Sequence, residues 1–404
     1  MDNNHRELYY DAGKSTWFWV CDVNDDIHLR IRFQLDHEVN GEELALAWKK
    51  TMKVYPILDR IPDRIDGHLQ FFETDDEPAV VESEMPASPG TELTRGRSIS
   101  VSYHKDSITL LAYHAVMDGT GMTAVAKTLL YHYCTIHFGE QYPADGFMLT
   151  EDREPETYFQ QYMSYPLGKF DAVPAYTFPE NTEFFSDARM VPEAPGKIVV
   201  GCLRVPADAF MKLCKANHSN PSAMLGILLG RAEYHLNPDD QRDAMLHMTI
   251  DFRPALGVKE SIAQCSSAVM IHASRDEILS DDISSAAVNM RTQLNSQRTS
   301  EYVRSYISLL RTYDMVTTAC SGVISYMGKI ELGEIQKHVL GMSMVNNACN
   351  ILNMVQFGDD FLLFCQFGLA AEDYMKAITA ELEKLGVHAE TAAEAKLVIP
   401  ERKD

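Results

Sequence analysis

Seven residues, Tyr113-His114-Ala115-Val116-Met117-Asp118-Gly119, separate two segments with different hydrophobic periods. In the 98–113 segment, apolar and polar residues alternate on either side of Lys105 and Asp106, which predicts a β-hairpin. In the 120–138 segment, apolar residues recur every three or four positions, as they do on one face of a helix. We therefore expect His114 to lie just after a strand, in a loop where a rigid scaffold presents a reactive side chain.

Length and composition restrict the class of protein. The 404 residues exceed a single ordinary core, so two domains are expected. The formal net charge of −22, without a concentrated Lys/Arg run, argues against nucleic-acid binding, because phosphates would be repelled. The eight cysteines show no metal-binding spacing, which favours reduced thiols and no metal site. No apolar run is long enough for a signal or a membrane span, so we expect a soluble, cytoplasmic protein.

Hydrophobic periods predict further elements on both sides of residues 151–196. We predict strands at 27–35, 69–73, 197–205, 244–251, 322–327, 352–357 and 361–367, and helices at 42–54, 207–217, 221–236, 283–315 (with a break near 297–300) and 371–385. The tail after residue 389 is expected to be loosely held. Because 151–196 contains six prolines and no sustained period, it should be a crossover between subdomains at 1–175 and 176–404.

The chemistry of the 113–119 stretch centres on His114. A histidine can accept and return a proton near neutral pH, provided that its tautomer is fixed by a hydrogen bond to the other ring nitrogen. Asp118 could contact the ring or could brace the loop through a distant cation, and the spacing leaves both arrangements open. Gly119 removes a side chain where substrate or backbone must come close. Taken alone, the pattern also fits a buried core histidine followed by a turn.

His114, Asp118 and Gly119 resemble the His-His-x-x-x-Asp-Gly signature of the chloramphenicol acetyltransferase-like superfamily. This superfamily includes alcohol acetyltransferases, polyketide-associated acyltransferases, wax-ester synthases and the condensation domains of peptide synthetases. Tyr113 replaces the first histidine of the signature, a residue that is mostly not the base in the family. The resemblance therefore leaves catalysis by His114 in place.

Other segments resemble the same superfamily in the same order. They are the strand at 27–35 with the helix around Trp48, the turn at Tyr55-Pro56, the sequence Asp251-Phe252-Arg253-Pro254 and the strand at 324–330. Independent local features that agree in this way favour one fold. One position departs, because Tyr326 stands where asparagine is common. The Asp-Phe-Gly-Trp-Gly sequence of the plant branch is absent, which argues against that branch.

The resemblance implies an α/β fold of two facing α+β two-layer sandwiches, arranged as a pseudo-dimer around a central tunnel. It implies acyl transfer from a thioester to a hydroxyl, amine or thiol, with neutral His114 as the general base and no covalent enzyme intermediate. Asp118 would be structural, with Arg253 as its ion-pair partner, since a buried carboxylate without a partner is costly. Ser325, with Tyr326 behind it, or backbone amides near Gly119 would stabilise the oxyanion.

The donor would be acyl-CoA or the phosphopantetheine of an acyl carrier protein, with no tightly bound cofactor. Because carrier proteins are usually acidic, the charge of −22 favours acyl-CoA, whose phosphates would need Lys212, Lys215 or Arg231. Three alternatives stay open at this point. They are a non-catalytic binding or scaffold protein of the same fold, a condensation enzyme with carrier-bound substrates, and a thioester hydrolase.

Overall fold

The computed structural model describes residues 7–13, 28–66, 68–153, 183–192, 197–303, 320–347 and 350–398. The strands of these residues are β1 Leu8–Gly13, β2 His28–Leu35, β3 Ile61–Ile65, β4 His68–Phe72, β5 Val80–Glu82, β6 Ile99–His104, β7 Ser107–Tyr113, β8 Lys197–Pro206, β9 Ala244–Asp251, β10 Ser266–Ala273, β11 Gly322–Ile330, β12 Val339–Asn346, β13 Ile351–Phe357, β14 Asp360–Gln366 and β15 Glu390–Val398. The helices are α1 Gly41–Val54, α2 Gly119–Phe138, α3 Ala207–Ala216, α4 Pro221–Leu236, α5 Arg253–Leu256, α6 Arg275–Leu279, α7 Ile283–Ser296 and α8 Ala371–Lys384.

Three sheets organise these elements. A five-stranded sheet has the order β12-β2-β7-β6-β5, a seven-stranded sheet has the order β10-β9-β11-β13-β14-β8-β15, and a small sheet has the order β1-β4-β3. The five-stranded sheet contains a strand from late in the chain, because β12 pairs antiparallel with β2 and places Met344 opposite Ile31. The chain therefore passes from β11 in the seven-stranded sheet to β12 in the five-stranded sheet and back to β13.

Helices cover these sheets through the apolar faces that the sequence predicts. In α1, the side chain of Asn40 accepts hydrogen bonds from the first-turn amides, and Trp48 is buried on the inner face. The Tyr55 hydroxyl that follows α1 lies 3.2 Å from Oγ1 of Thr128 on α2. α4 begins with Asn220 as its cap and Pro221 in its first turn. Helices α1 and α2 pack on each other beside β2 and β5 of the five-stranded sheet, and α2 begins directly after the loop that carries His114.

The predicted hairpin and the predicted helix break are both confirmed. β6 and β7 pair across the turn at Lys105 and Asp106. α7 ends at Ser296, and helix resumes at residue 300; the part of the prediction beyond 303 lies outside the described residues, as does most of the 151–196 segment. Among the described residues, no helix is both long and apolar enough to cross a membrane.

The prediction of a loosely held tail was wrong. β15 pairs antiparallel with β8 and places Thr391 opposite Leu203. Its sequence is rich in alanine and charged residues, so it lacks the alternation that marks a half-buried strand. The open edge of β8 supplies the hydrogen-bond partners that its composition does not indicate.

Candidate active site

A cavity of about 450 Å³ is lined by residues from both large sheets. The five-stranded sheet and its loops contribute Leu29, His114, Gly119, Met344 and Asn346, and the seven-stranded sheet contributes Thr249, Ser267, Val323, Ser325 and Asn353. Hydroxyl and amide groups thus face the same space as aliphatic and methionine side chains. Such a mixture suits a ligand with a polar and an apolar part.

His114 follows the last residue of β7 and lines this cavity. Its loop is fixed at both ends, because the Val116 amide donates to the Tyr113 carbonyl at 3.0 Å and Met117 forms a β-bridge with Ala263. Nδ1 is shielded from solvent, without a hydrogen bond of standard geometry among the described residues. The ring is therefore held on one side by packing and faces the cavity with the other.

Burial lowers the pKa of His114 below its usual 6.5, because the imidazolium ion is poorly solvated there. Weaker contributions raise the pKa, through a polar contact with its own backbone carbonyl, the charge of Asp118 and the Gln264 side chain. The net direction is downward. The imidazole is therefore neutral at pH 7, the form in which it can accept a proton.

Asp118 is directed away from the imidazole and forms a buried ion pair with Arg253. Their side chains form two hydrogen bonds of 2.8 Å, and each residue is about 1% exposed. The Asp118 carboxylate also accepts from the Gly121 amide at 3.0 Å, as the cap of α2, and from the Cys265 amide at 2.9 Å. Of the two arrangements that the sequence left open, the structure has the distant cation.

Arg253 uses its remaining donors on neighbouring segments. Nε donates to the Ser261 carbonyl and Nη2 to the Ala263 carbonyl, each at 2.7 Å, while Nη1 also contacts Asp251 at 3.0 Å. Burial lowers the pKa of the guanidinium, but the carboxylate of Asp118 outweighs burial and raises it overall. A charged Arg253 thus joins the loop of His114 to the 261–265 loop.

No protein-family model and no curated protein matches the sequence. Solved structures, however, match it over nearly its whole length. TRI101 of F. sporotrichioides, complexed with coenzyme A and T-2, is 13% identical over 95% of this chain and 99% of its own, with a TM-score of 0.62. The first condensation domain of the calcium-dependent antibiotic synthetase, in complex with a substrate analogue, is 12% identical over 94% and 97%, with a TM-score of 0.68.

Polyketide synthase associated protein 5 from Mycobacterium tuberculosis is 11% identical over 92% of this chain and 97% of its own, with a TM-score of 0.62. All three belong to the coenzyme A-dependent acyltransferase and condensation superfamily. The chain has the chloramphenicol acetyltransferase-like fold. The fold class predicted from the sequence is therefore confirmed.

Within this fold, two glycines allow the close approach of α2 to its neighbours. A Cβ atom on Gly119 would collide with the flexible end of Met327, whereas a Cβ atom on Gly121 would collide with the backbone carbonyl of Ile262. Gly121 was not singled out from the sequence, although its place one turn into a helix, where glycine is unfavourable, is a usable signal.

We predict that Gly121→Ala destabilises the protein by roughly 1–3 kcal/mol, because a backbone segment must move. Gly119→Ala should cost less, since the end of Met327 can rotate away and alanine favours the helix by about 0.5–1 kcal/mol. Urea denaturation of both variants measures the difference. Equal losses, or a larger loss for Gly119→Ala, would contradict this account of the contact with Ile262.

The oxyanion candidates lie in the cavity wall, and Tyr113 does not. Ser325 lines the cavity, and its hydroxyl donates to the thioether of Met327 at 3.4 Å. Tyr326 lines the same wall and packs edge-on against Phe361, with the ring centres 6.1 Å apart. Tyr113 is buried elsewhere, where its hydroxyl donates to the Pro89 carbonyl at 2.8 Å. Tyr113 therefore packs the scaffold behind the loop.

The basic residues named from the sequence do not converge on one place. Lys212 and Lys215 line a second pocket, which also contains Arg291. Arg231 instead donates to the Ile278 carbonyl at 2.9 Å and lies 3.5 Å from Glu381, so its charge is used within the fold. Sequence reasoning missed Arg298, an exposed arginine in the lining of the cavity that contains His114.

Proposed function

We propose that the protein is an acyltransferase that moves an acyl group from a thioester to a hydroxyl, amine or thiol, with His114 as the general base. The observation that carries the proposal is a neutral imidazole in a cavity lined by both sheets, on a loop held by the Asp118–Arg253 ion pair. A base for this reaction has to be deprotonated at working pH and to face the space that the acceptor can enter. His114 meets both requirements.

The proposed reaction proceeds in two steps without a covalent enzyme intermediate. His114 takes the proton of the acceptor as its oxygen, nitrogen or sulfur attacks the thioester carbonyl, and a tetrahedral oxyanion forms. The carbon–sulfur bond then breaks, and the proton passes from the imidazolium ion to the departing thiolate. The Ser325 hydroxyl or amides near Gly119 would donate to the oxyanion.

Asp118 and Arg253 have a positioning role in this proposal. Their ion pair lies behind the loop, and the four polar contacts of the Asp118 carboxylate leave it no free lone pair for the substrate. A mechanism that moves the proton onto Asp118 is disfavoured, because a neutral carboxyl would remove the buried counter-charge of the guanidinium and leave it only the partly exposed Asp251. The shuttled proton therefore stays on His114 until the thiolate leaves.

Acyl-CoA is the donor that the charge balance favours. A protein with a net charge of −22 repels acidic carrier proteins at long range, whereas a small donor can reach a local basic site. TRI101, which shares the fold, has been crystallised with coenzyme A. A condensation domain has the same fold, so a thioester bound to a carrier protein is the alternative donor that an experiment has to test.

Mass spectrometry of reaction products tests the proposal. The purified protein is incubated with mixed acyl-CoAs and a cell extract, and acylated products, free coenzyme A and free acids are quantified, with His114→Ala as the control. We expect acylated product and free coenzyme A in equal amounts with the wild type only. Free acid without an acylated product would identify a hydrolase, and no turnover of any donor would leave a binding protein.

A further inference from the structure

Two arginines of β2, Arg30 and Arg32, extend from the face of the five-stranded sheet that lies opposite its helices. Side chains alternate between the two faces along a strand, and directly paired residues of neighbouring strands share a face. Ile31, between the two arginines, is completely buried and lies opposite Met344 of β12. The Met344 sulfur lies 3.7 Å from where a Cβ atom of Gly119, the first residue of α2, would stand. Ile31 therefore faces α2, and both arginines face the other way.

Arg30 is a buried cation without a counter-charge. It is 8% exposed, and its guanidinium forms neither a hydrogen bond nor an ion pair with any residue in the described ranges. The other two buried arginines of that part of the chain are paired, Arg97 with Asp59 at 2.7 Å and Arg253 with Asp118 at 2.8 Å. Because an unpaired buried charge is costly, Arg30 needs an anion that these residues do not supply.

The second arginine increases this need. Arg32 lies about 7 Å further along the strand, on the same face, and is half-buried. Its Nη2 donates to the Ser107 hydroxyl at 2.8 Å, and it has no ion pair within the described part of the chain. Burial and then the charge of Arg32 lower the pKa of the Arg30 guanidinium to about 10, so Arg30 is still charged at pH 7. The two cations repel each other, and an anion between them would remove that repulsion.

The rest of this sheet face is polar without being acidic. Thr109 of β7 and Ser343 of β12 lie opposite Arg32, and Ser102 of β6 lies opposite Thr109. The Thr109 and Ser343 hydroxyls form no hydrogen bond with another described residue, so each can donate to a ligand beside the guanidinium groups. Among the residues of β2, β6, β7 and β12, none on this face is acidic. The positive charge is therefore local, on a chain whose total is −22.

We propose that Arg30 and Arg32 form a binding site for a phosphate dianion, either free or as a phosphomonoester. A guanidinium group donates two parallel hydrogen bonds to a pair of phosphate oxygens, and two guanidinium groups match the two charges of the dianion. Neither arginine is among the described residues that line the cavity of His114, so the site is separate from the candidate active site. It goes beyond the proposed function and holds whether or not His114 transfers acyl groups.

Calorimetric titration at constant pH and ionic strength tests the site with inorganic phosphate, glycerol 3-phosphate and acetate. Arg30→Met and Arg32→Met should each weaken phosphate binding about tenfold or more, the effect of losing a charge-assisted hydrogen bond. Acetate, which matches one of the two positive charges, should bind about tenfold more weakly than phosphate. The matched control is Arg204→Met on β8, whose half-exposed side chain lies 3.6 Å from Asp360, and it should leave phosphate binding unchanged. Tighter binding of glycerol 3-phosphate would support a phosphomonoester ligand, and tighter binding of inorganic phosphate the free ion.

Thermal unfolding supplies a second, independent readout. Methionine keeps an apolar stem and removes the unpaired charge, so Arg30→Met should unfold at the same temperature as the wild type, or higher, in phosphate-free buffer. Phosphate should raise the melting temperature of the wild type, because a ligand that binds only the folded state stabilises it. The melting temperature of Arg30→Met should not respond to phosphate.

The inference is overturned if both methionine variants of β2 bind phosphate like the wild type, if Arg204→Met weakens binding equally, or if acetate binds as tightly as phosphate. An Arg30→Met variant that unfolds at a clearly lower temperature, or does not fold, would show that Arg30 is satisfied within the fold and would also overturn it. Displacement of phosphate by coenzyme A would make these arginines part of the donor site and reject a separate one. None of these experiments measures acyl transfer, so their failure and the failure of the proposed function are distinguishable.

Discussion

His114→Ala should lower kcat for acyl transfer by about 10²–10⁴-fold, the range that a lost general base produces. The melting temperature should change little, because the ring faces a cavity and Nδ1 has no standard hydrogen bond among the described residues. Steady-state kinetics with acyl-CoA, together with thermal unfolding, measure both quantities. An unfolded variant would make His114 a structural residue, and full activity would make it irrelevant.

The wild-type pH profile is a second readout of the same residue. Since burial lowers the pKa of His114 below 6.5, the base is already deprotonated at pH 7. We expect kcat to stay level above pH 7 and to fall in more acidic solution, as pH drops through the lowered pKa. The same shift makes protonation unfavourable in the folded state, so the stability due to neutral His114 is present above pH 6.5 and is lost as pH falls. A rate that rises on acidification would contradict a base at this position.

Arg253→Ala should destabilise the protein by about 3–5 kcal/mol, because it leaves the Asp118 carboxylate buried without its cation. Arg253→Lys should recover only part of this loss, since an ammonium cannot bind both carboxylate oxygens at once. Activity should fall as well, because the ion pair holds the loop of His114 against the 261–265 loop. Urea denaturation and kinetics of the same variants separate the two effects.

A double-mutant cycle isolates the pair itself. Asp118→Ala and Arg253→Ala should together cost clearly less than the sum of the single losses, since the double variant leaves no uncompensated buried charge. The coupling should exceed about 1 kcal/mol, because the two groups are in direct contact. Additive losses would remove the ion pair from this account of the site.

The sequence predicts local structure well where one period dominates. The alternation in β6 and β7 and the apolar stripe of α2 place His114 between a strand and a helix, which is its position in the structure. β15 has no such period and was not predicted, because its pairing with the edge of β8, rather than the pattern of its own side chains, makes it a strand. β10 and β12 were also not predicted, and β12 is placed by its pairing with β2.

The candidate site depends on contacts between distant parts of the chain. Asp118 and Arg253 are 135 positions apart, and only the family resemblance indicated their pairing. Residue types alone do not show that Arg291 and Lys212 line the same pocket. They also do not show that the Arg231 guanidinium donates a hydrogen bond to the Ile278 carbonyl. Side-chain direction on packed helices decides such contacts, and a single sequence does not specify it.

A crystal structure with a non-hydrolysable acyl-CoA analogue tests the central claim most directly. We expect the acyl end of the analogue in the cavity lined by both sheets, with its carbonyl carbon and sulfur within about 4 Å of the His114 ring, as proton transfer through a bound acceptor requires. An analogue bound with its acyl end outside this cavity, or with the imidazole on the far side of the wall, would contradict the assignment of His114 as the base.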